Sequence, residues 1–382
     1  MALPNANWNY PTAIRFGAGR VAELPEACGG VGMKRPLLVT DPALAEMAMV
    51  KEAVAASRAG LFANIHANPV GADVEAGVAA YRAGGHDGVV AFGGGSALDV
   101  GKTVAFMGDQ ARPLWDFEDR EDWWTRADAG AIAPVVAVPT TAGTGSEVGR
   151  AGVILDEAEG VKKIIFHPRM LPSIVILDPE LTVGLPPHVT AATGMDALSH
   201  CLEAYCAPGF HPMADGIAAE GTALIARSLA RAVEDGTDIE ARGHMLVAAT
   251  MGATAFQKGL GGMHALSHPI GAIAGTHHGL TNAVLMPYIL AFNRPAIEER
   301  LARLAGYIGL EEATYERFLR WLVDLRRRIA IPHTLAELGI ARRDLERIAA
   351  MAEADPSAAG NPRPFGAAEA REVLEAAMAG QV

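Results

Sequence analysis

The run Gly88-Val89-Val90-Ala91-Phe92-Gly93-Gly94-Gly95-Ser96-Ala97-Leu98-Asp99 reads as a buried strand, a glycine turn and the start of a helix. Glycines let backbone approach a phosphate closely, and the free N–H groups and positive dipole end of a helix stabilise its charge. The run therefore fits a pyrophosphate site, although a plain strand-to-helix turn accounts for the same glycines.

Outward from it, strand-like runs at Pro36–Thr40, Leu61–His66, Pro134–Val138 and Ser173–Leu177 alternate with helix-forming segments at Ala43–Ala59 and Ala72–Ala83. That alternation predicts a Rossmann-like α/β domain with a mostly parallel sheet over residues 1–183. After Leu185-Pro186-Pro187 the chain turns to Ala/Leu/Glu-rich segments, among them Ala214–Val233, Ile239–Phe256 and Glu311–Arg328. An all-α domain is expected over residues 184–382, and a chain of 382 residues exceeds what one core usually supports. Asp116–Ala129, with Trp123 and Trp124 among charges, reads as a surface excursion or subunit contact.

The formal charge of −12, without a dense basic run, leaves nucleic acid no electrostatic footprint. Cys28, Cys201 and Cys206 form no CxxC spacing, which argues against a disulfide framework or thiolate zinc knuckle and for a reducing compartment. The start, MALPNANWNYPTAIRFG, lacks the pattern of a signal peptide, and no apolar stretch is long enough to span a membrane. A soluble cytoplasmic protein is expected, assembled as a homodimer or larger homo-oligomer.

Two features sharpen the reading of the glycine turn. Pro139-Thr140-Thr141-Ala142-Gly143-Thr144-Gly145-Ser146 follows another predicted strand and offers hydroxyls where a doubly wound sheet presents its carboxyl edge. Asp41 closes the strand before it, where a carboxylate can accept from ribose hydroxyls and repel a 2′-phosphate, pointing to NAD rather than NADP. The spacing is not GxGxxG, and Asp41 can equally cap the next helix.

His264, His268, His277 and His278 are four of the twelve histidines, crowded into residues 264–278. Upstream, Asp196 and His200 stand at i and i+4, on one helical face, and His264 and His268 repeat that spacing. Imidazoles with one carboxylate suit Fe(II) or Zn(II), and a catalytic ion keeps one position open. Not all of Asp196, His200, His264, His268 and His278 can be ligands.

These residues lie in motifs that resemble the iron-containing (group III) alcohol dehydrogenases along nearly the whole chain. They are GGGSALDVGK (93–102), PTTAGTGSE (139–147), ILDPELT (176–182), TGMDALSHCLEAY (193–205), HALSHPIGA (264–272), HHGLTNAVLMP (277–287) and NPRP (361–364). The resemblance implies metal ligands at Asp196, His200, His264 and His278, with His268 beside the nicotinamide as the catalytic residue. It implies cofactor contacts at Asp41, Asn68, Gly94, Gly95, Ser96, Thr140, Thr141, Thr144 and Lys162. His277, where the family often has proline, departs from the pattern, as do the small Gly149 and Ala151.

The expected activity is metal-dependent, NAD-linked interconversion of a small alcohol or hydroxy acid with its aldehyde or ketone. His268 would pass the released proton to solvent. A metal-dependent hydrolase would leave the glycine and threonine loops idle, and a related NAD- and metal-dependent cyclase or lyase would call for more basic residues at the cluster. A non-catalytic metal-binding scaffold is a further alternative.

Overall fold

The computed structural model describes residues 12–382 and divides into two units, one ending at Gly184 and one running from Leu185 to Val382. Most of the stretch read above for a signal peptide, residues 1–11, lies outside the described residues.

The first unit is built on a six-stranded, all-parallel sheet. Its strands are β1 (Ala13–Phe16), β2 (Pro36–Val39), β3 (Gly60–Phe62), β4 (Gly88–Gly93), β5 (Val135–Pro139) and, after the two-stranded ribbon below, β8 (Ile174–Leu177), in the order β1-β8-β5-β4-β2-β3. The inner strands β2, β4 and β5 are buried at every residue, as expected of apolar parallel strands covered on both faces. Helices α1 (Leu24–Gly30), α2 (Pro42–Ala45), α3 (Ala48–Ser57), α4 (Gly71–Ala83) and α5 (Gly95–Met107) supply the cover. A Cβ at Gly101 would stand 2.7 Å from that of Ala91, so this glycine lets α5 lie close against β4.

Several elements differ from expectation. The segment 43–59 is two helices, because Met47 is extended (φ −79°, ψ 148°) between α2 and α3. The strand expected to reach His66 stops at Phe62, and Asp73 instead captures the following loop through the N–H groups of His66 and Val70. An antiparallel ribbon of β6 (Ala151–Asp156) and β7 (Val161–Phe166) and the short edge strand β1 were not anticipated. Residues 116–129 form short 3₁₀ turns, with the Arg126 guanidinium 3.9 Å over the Trp123 ring and Trp124 set edge-on to His167.

The second unit is helical: α6 (Pro187–Cys206), α7 (Pro212–Glu234), α8 (Ile239–Ala255), α9 (Gly262–Ala274), α10 (His278–Tyr307), α11 (Tyr315–Arg328), α12 (Leu345–Glu353) and α13 (Ala367–Ala379). Proline at the first position of α6 costs nothing, since that N–H has no intrahelical partner. The helix is buried almost throughout and packs on α7, α8 and α10. All three cysteines are free and buried. Among the described residues, no helix is long and apolar enough to cross a membrane.

Candidate active site

In the first unit, the chain leaves β2 towards β3 on one side and returns to form β4 on the other, so a crevice opens at the carboxyl ends of β2 and β4. Val39 is paired with Ala91, which brings Asp41 and Gly93 to the same edge. A Cβ on Gly93 would stand 3.7 Å from Asp41 Oδ2. Asp41 does cap α2, its Oδ1 accepting from the N–H groups of Ala43 and Leu44, which leaves Oδ2 outside the cap. Capping and ribose recognition therefore do not compete for one oxygen.

The glycine and threonine loops meet directly. Thr140 donates its N–H to the Gly93 carbonyl at 3.0 Å, and Cβ atoms built on Gly94 and Gly95 would meet Thr141 at 3.4 Å and Thr144 at 2.6 Å. Gly94 and Gly95 lead straight into α5, whose first N–H groups lack intrahelical partners. The Ser96 hydroxyl donates to the Ala67 carbonyl at 2.6 Å, so its N–H is the donor it keeps for a ligand. Asn68 is exposed in the loop before α4, and Lys162 lies on β7 opposite Leu155.

Asp99 and Lys102, both within GGGSALDVGK, have a role that the motif alone does not reveal. Asp99 accepts from the Ser146 hydroxyl and the Val153 N–H, and Lys102 Nζ donates to the Ser146 and Ala151 carbonyls. Burial draws the Lys102 ammonium below its usual range, against the pull of Asp99. Together the pair ties the threonine loop to α5.

In the second unit, three helices each contribute an i,i+4 pair to one cluster: Asp196 and His200 on α6, His264 and His268 on α9, His278 and Asn282 on α10. A side chain at Gly279 would run into the Ala192 carbonyl and Asp196, so this glycine admits α10 against α6. Donor atoms of Asp196, His200 and His264 all lie within 4.8 Å of one another. His278 Nε2 joins 3.5 Å from Asp196 Oδ1.

Burial holds His264 and His278 well below the usual imidazole range, so both are neutral, lone-pair-bearing rings at pH 7. Burial would raise the Asp196 carboxyl, but its partners in the cluster, the Asn282 amide that donates to Oδ1 among them, outweigh it and hold it below the usual carboxylate range. The centre is rich in acceptors: the Asn282 amide nitrogen faces Asp196 Oδ1 (2.9 Å), His278 Nε2 (3.1 Å) and His264 Nε2 (3.3 Å) with only two hydrogens. His200 Nδ1 is buried without a protein partner. A carboxylate and neutral imidazoles converging in this way fit a divalent cation.

Two carboxylates that the sequence did not single out complete the cluster. Glu203, one turn beyond His200, sets Oε2 2.6 Å from His264 Nδ1, and Asp355 sets Oδ2 2.8 Å from His268 Nδ1. Such partners fix tautomer and ring orientation. His277 is a helix cap, its Nδ1 accepting from the Leu280 N–H.

The chain also matches known proteins along nearly its whole length. The model of the iron-containing alcohol dehydrogenase family matches residues 11–179, and that of the C-terminal region of the Fe-containing family matches residues 190–378. A 4-hydroxybutyrate dehydrogenase of Cupriavidus necator is 39% identical over 97% of this chain and 99% of its own. The crystal structure of a 1,3-propanediol oxidoreductase superposes with a TM-score of 0.92 at 34% identity, covering 98% of this chain and 100% of that one. A sulfoacetaldehyde reductase of Bifidobacterium kashiwanohense, solved with NAD+, gives 0.89 at 29% identity, over 98% of this chain and 99% of that one. Matched in both of its units and along nearly its whole length, the chain belongs to the iron-containing alcohol dehydrogenase family and is an oxidoreductase acting on alcohol groups.

Proposed function

We propose that this NAD-linked, metal-dependent alcohol dehydrogenase works on a short primary alcohol that carries an acid group, of the 4-hydroxybutyrate type, interconverting it with the aldehyde. The substrate class rests on the 39% identity to the dehydrogenase of that name. The chemistry rests on one observation, the convergence of Asp196, His200 and His264 donor atoms within 4.8 Å.

Residues 1–183 serve as the dinucleotide-binding domain, with Asp41, Asn68, Gly94, Gly95, Ser96, Thr140, Thr141, Thr144 and Lys162 around NAD. Residues 184–382 serve as the metal domain, with Asp196, His200, His264 and His278 as ligands. When bound, Fe(II) or Zn(II) supplies the Lewis acidity that makes the alcohol hydroxyl acidic, and NAD accepts the hydride. His268, whose Nδ1 is held by Asp355, keeps Nε2 to take up the hydroxyl proton. Buried, unpaired cysteines suit a reducing cytoplasm, and a homodimer is the expected assembly.

After anaerobic loading with Fe(II) or Zn(II), NADH absorbance should rise with NAD and an alcohol, with the highest kcat/KM among short ω-hydroxy acids. A protein that holds metal but yields no NADH with any alcohol, diol or hydroxy acid contradicts the assignment.

A further inference from the structure

The loop of residues 63–70 leaves β3 at the sheet edge where Asp41 and Gly93 stand, because Phe62 is paired with Val39 and Val39 with Ala91. It carries Asn68, which is exposed. The backbone on either side of Asn68 is pinned by three different elements. The Ala67 carbonyl accepts the hydroxyl of Ser96, the second residue of α5, at 2.6 Å. The Pro69 carbonyl accepts the Leu155 N–H of β6 at 2.8 Å. Asp73, buried and third in α4, gathers the rest. Its Oδ2 accepts the N–H groups of Val70 (3.0 Å) and His66 (3.1 Å), and its Oδ1 lies 2.7 Å from His66 Nδ1.

The start of α4 needs only the Val70 contact, which satisfies the N–H just before the helix. The two contacts with His66 reach seven residues back and do nothing for the helix. They close residues 66–70 into a loop with Asn68 at its middle, and the Ser96 bond sets that loop against the glycine turn. We propose that Asp73 is a positioning residue for the cofactor, holding Asn68 at the glycine turn before NAD binds. The inference rests on the reading that Asn68 contacts NAD. Pro69 acts in the same direction, since the residue before a proline is confined to extended backbone. A contact residue whose backbone is already fixed has less freedom to lose on binding, and the difference appears as affinity.

The test is a double-mutant cycle on the full chain, read by NADH fluorescence on binding, a measurement that needs no turnover. Asn68→Ala should weaken NADH binding. Asp73→Ala should weaken it about three- to tenfold, the scale of ordering a contact side chain on binding. The double variant should bind NADH no more weakly than Asn68→Ala alone, since Asp73 acts through Asn68. Asp73→Asn should stay within about twofold of wild type, because its oxygen can accept both N–H groups while its amide donates to His66 Nδ1. If Asp73→Ala does not fold, His66→Ala takes its place, removing the ring contact and leaving the α4 cap intact. It should weaken binding in the wild-type background and not in Asn68→Ala. Unchanged affinity in Asp73→Ala, or in His66→Ala where that variant stands in, overturns this role. So do losses that multiply in the double variant, and so does Asp73→Asn binding no better than Asp73→Ala. Unchanged affinity in Asn68→Ala overturns the reading of Asn68 as a cofactor contact.

Discussion

Glu203 Oε2 lies 2.6 Å from His264 Nδ1 while Oε1 accepts the Met263 N–H at 2.7 Å, so one buried carboxylate both orients the imidazole and holds the start of α9. Glu203→Gln should weaken metal binding about 10–100-fold, as for other partners of metal-bound histidines. Chelator competition measures this. Unchanged affinity would mean that Glu203 serves only the helix terminus.

The same residue makes a signed pH prediction for the metal-free protein. Burial pushes the Glu203 carboxyl up to about 7, so its stabilising contribution is complete below the ordinary carboxylate range and lost as pH rises through 7. Stability falls with falling pH where the unfolded state binds more protons, as it does for His264 and His278, whose folded rings resist protonation. Protonated Glu203 offsets one of those protons. Glu203→Gln should therefore lose stability more steeply between about pH 6.5 and 5, by about 1.4 kcal/mol per pH unit. Parallel stability curves from urea unfolding would contradict it.

Asp41 offers one oxygen to the α2 cap and keeps the other outside it. Asp41→Asn should retain the cap, with stability changed by less than about 0.5 kcal/mol, yet relax the preference for NAD over NADP. Asp41→Gly should relax it too. An unchanged ratio of kcat/KM for the two cofactors in both variants would reduce Asp41 to a cap.

Gly94 and Gly95 should separate in their effects. A Cβ on Gly94 meets Thr141 at 3.4 Å, ordinary contact, so Gly94→Ala should raise the KM for NAD with little change in Tm. On Gly95 it would stand 2.6 Å from Thr144 Cγ2, so Gly95→Ala should lower both Tm and cofactor affinity. Adding Thr144→Ser should recover part of the Tm. Equal effects at the two glycines would show that the loop packing is not what distinguishes them.

The parallel sheet was legible because β2, β4 and β5 are short, continuous apolar runs ended by glycine, threonine or aspartate. The β6–β7 ribbon has the alternating burial of a half-exposed hairpin, but Lys162-Lys163 and the turn before them dilute that signal. Within the cluster, i,i+4 spacing exposed the pairs on single helices. The carboxylates behind them are 61 and 87 residues from their histidines, a separation that only the packing of α6, α9 and the segment after α12 closes. Glu203 did leave a trace, since positions 196, 200 and 203 continue one stripe of α6. Asn282 left another, four residues after His278.

The assignment of the ion to the helical unit is tested most directly by metal content and NADH binding measured together on His264→Ala, His278→Ala and His277→Ala. His264 and His278 stand in the acceptor cluster with Asp196, whereas His277 caps α10 through Nδ1. The first two variants should lose bound metal and turnover while still quenching NADH fluorescence on binding. His277→Ala should keep its metal and lose about 1 kcal/mol of stability as a cap. Full metal content in His264→Ala and His278→Ala, with loss confined to His277→Ala, would contradict the assignment.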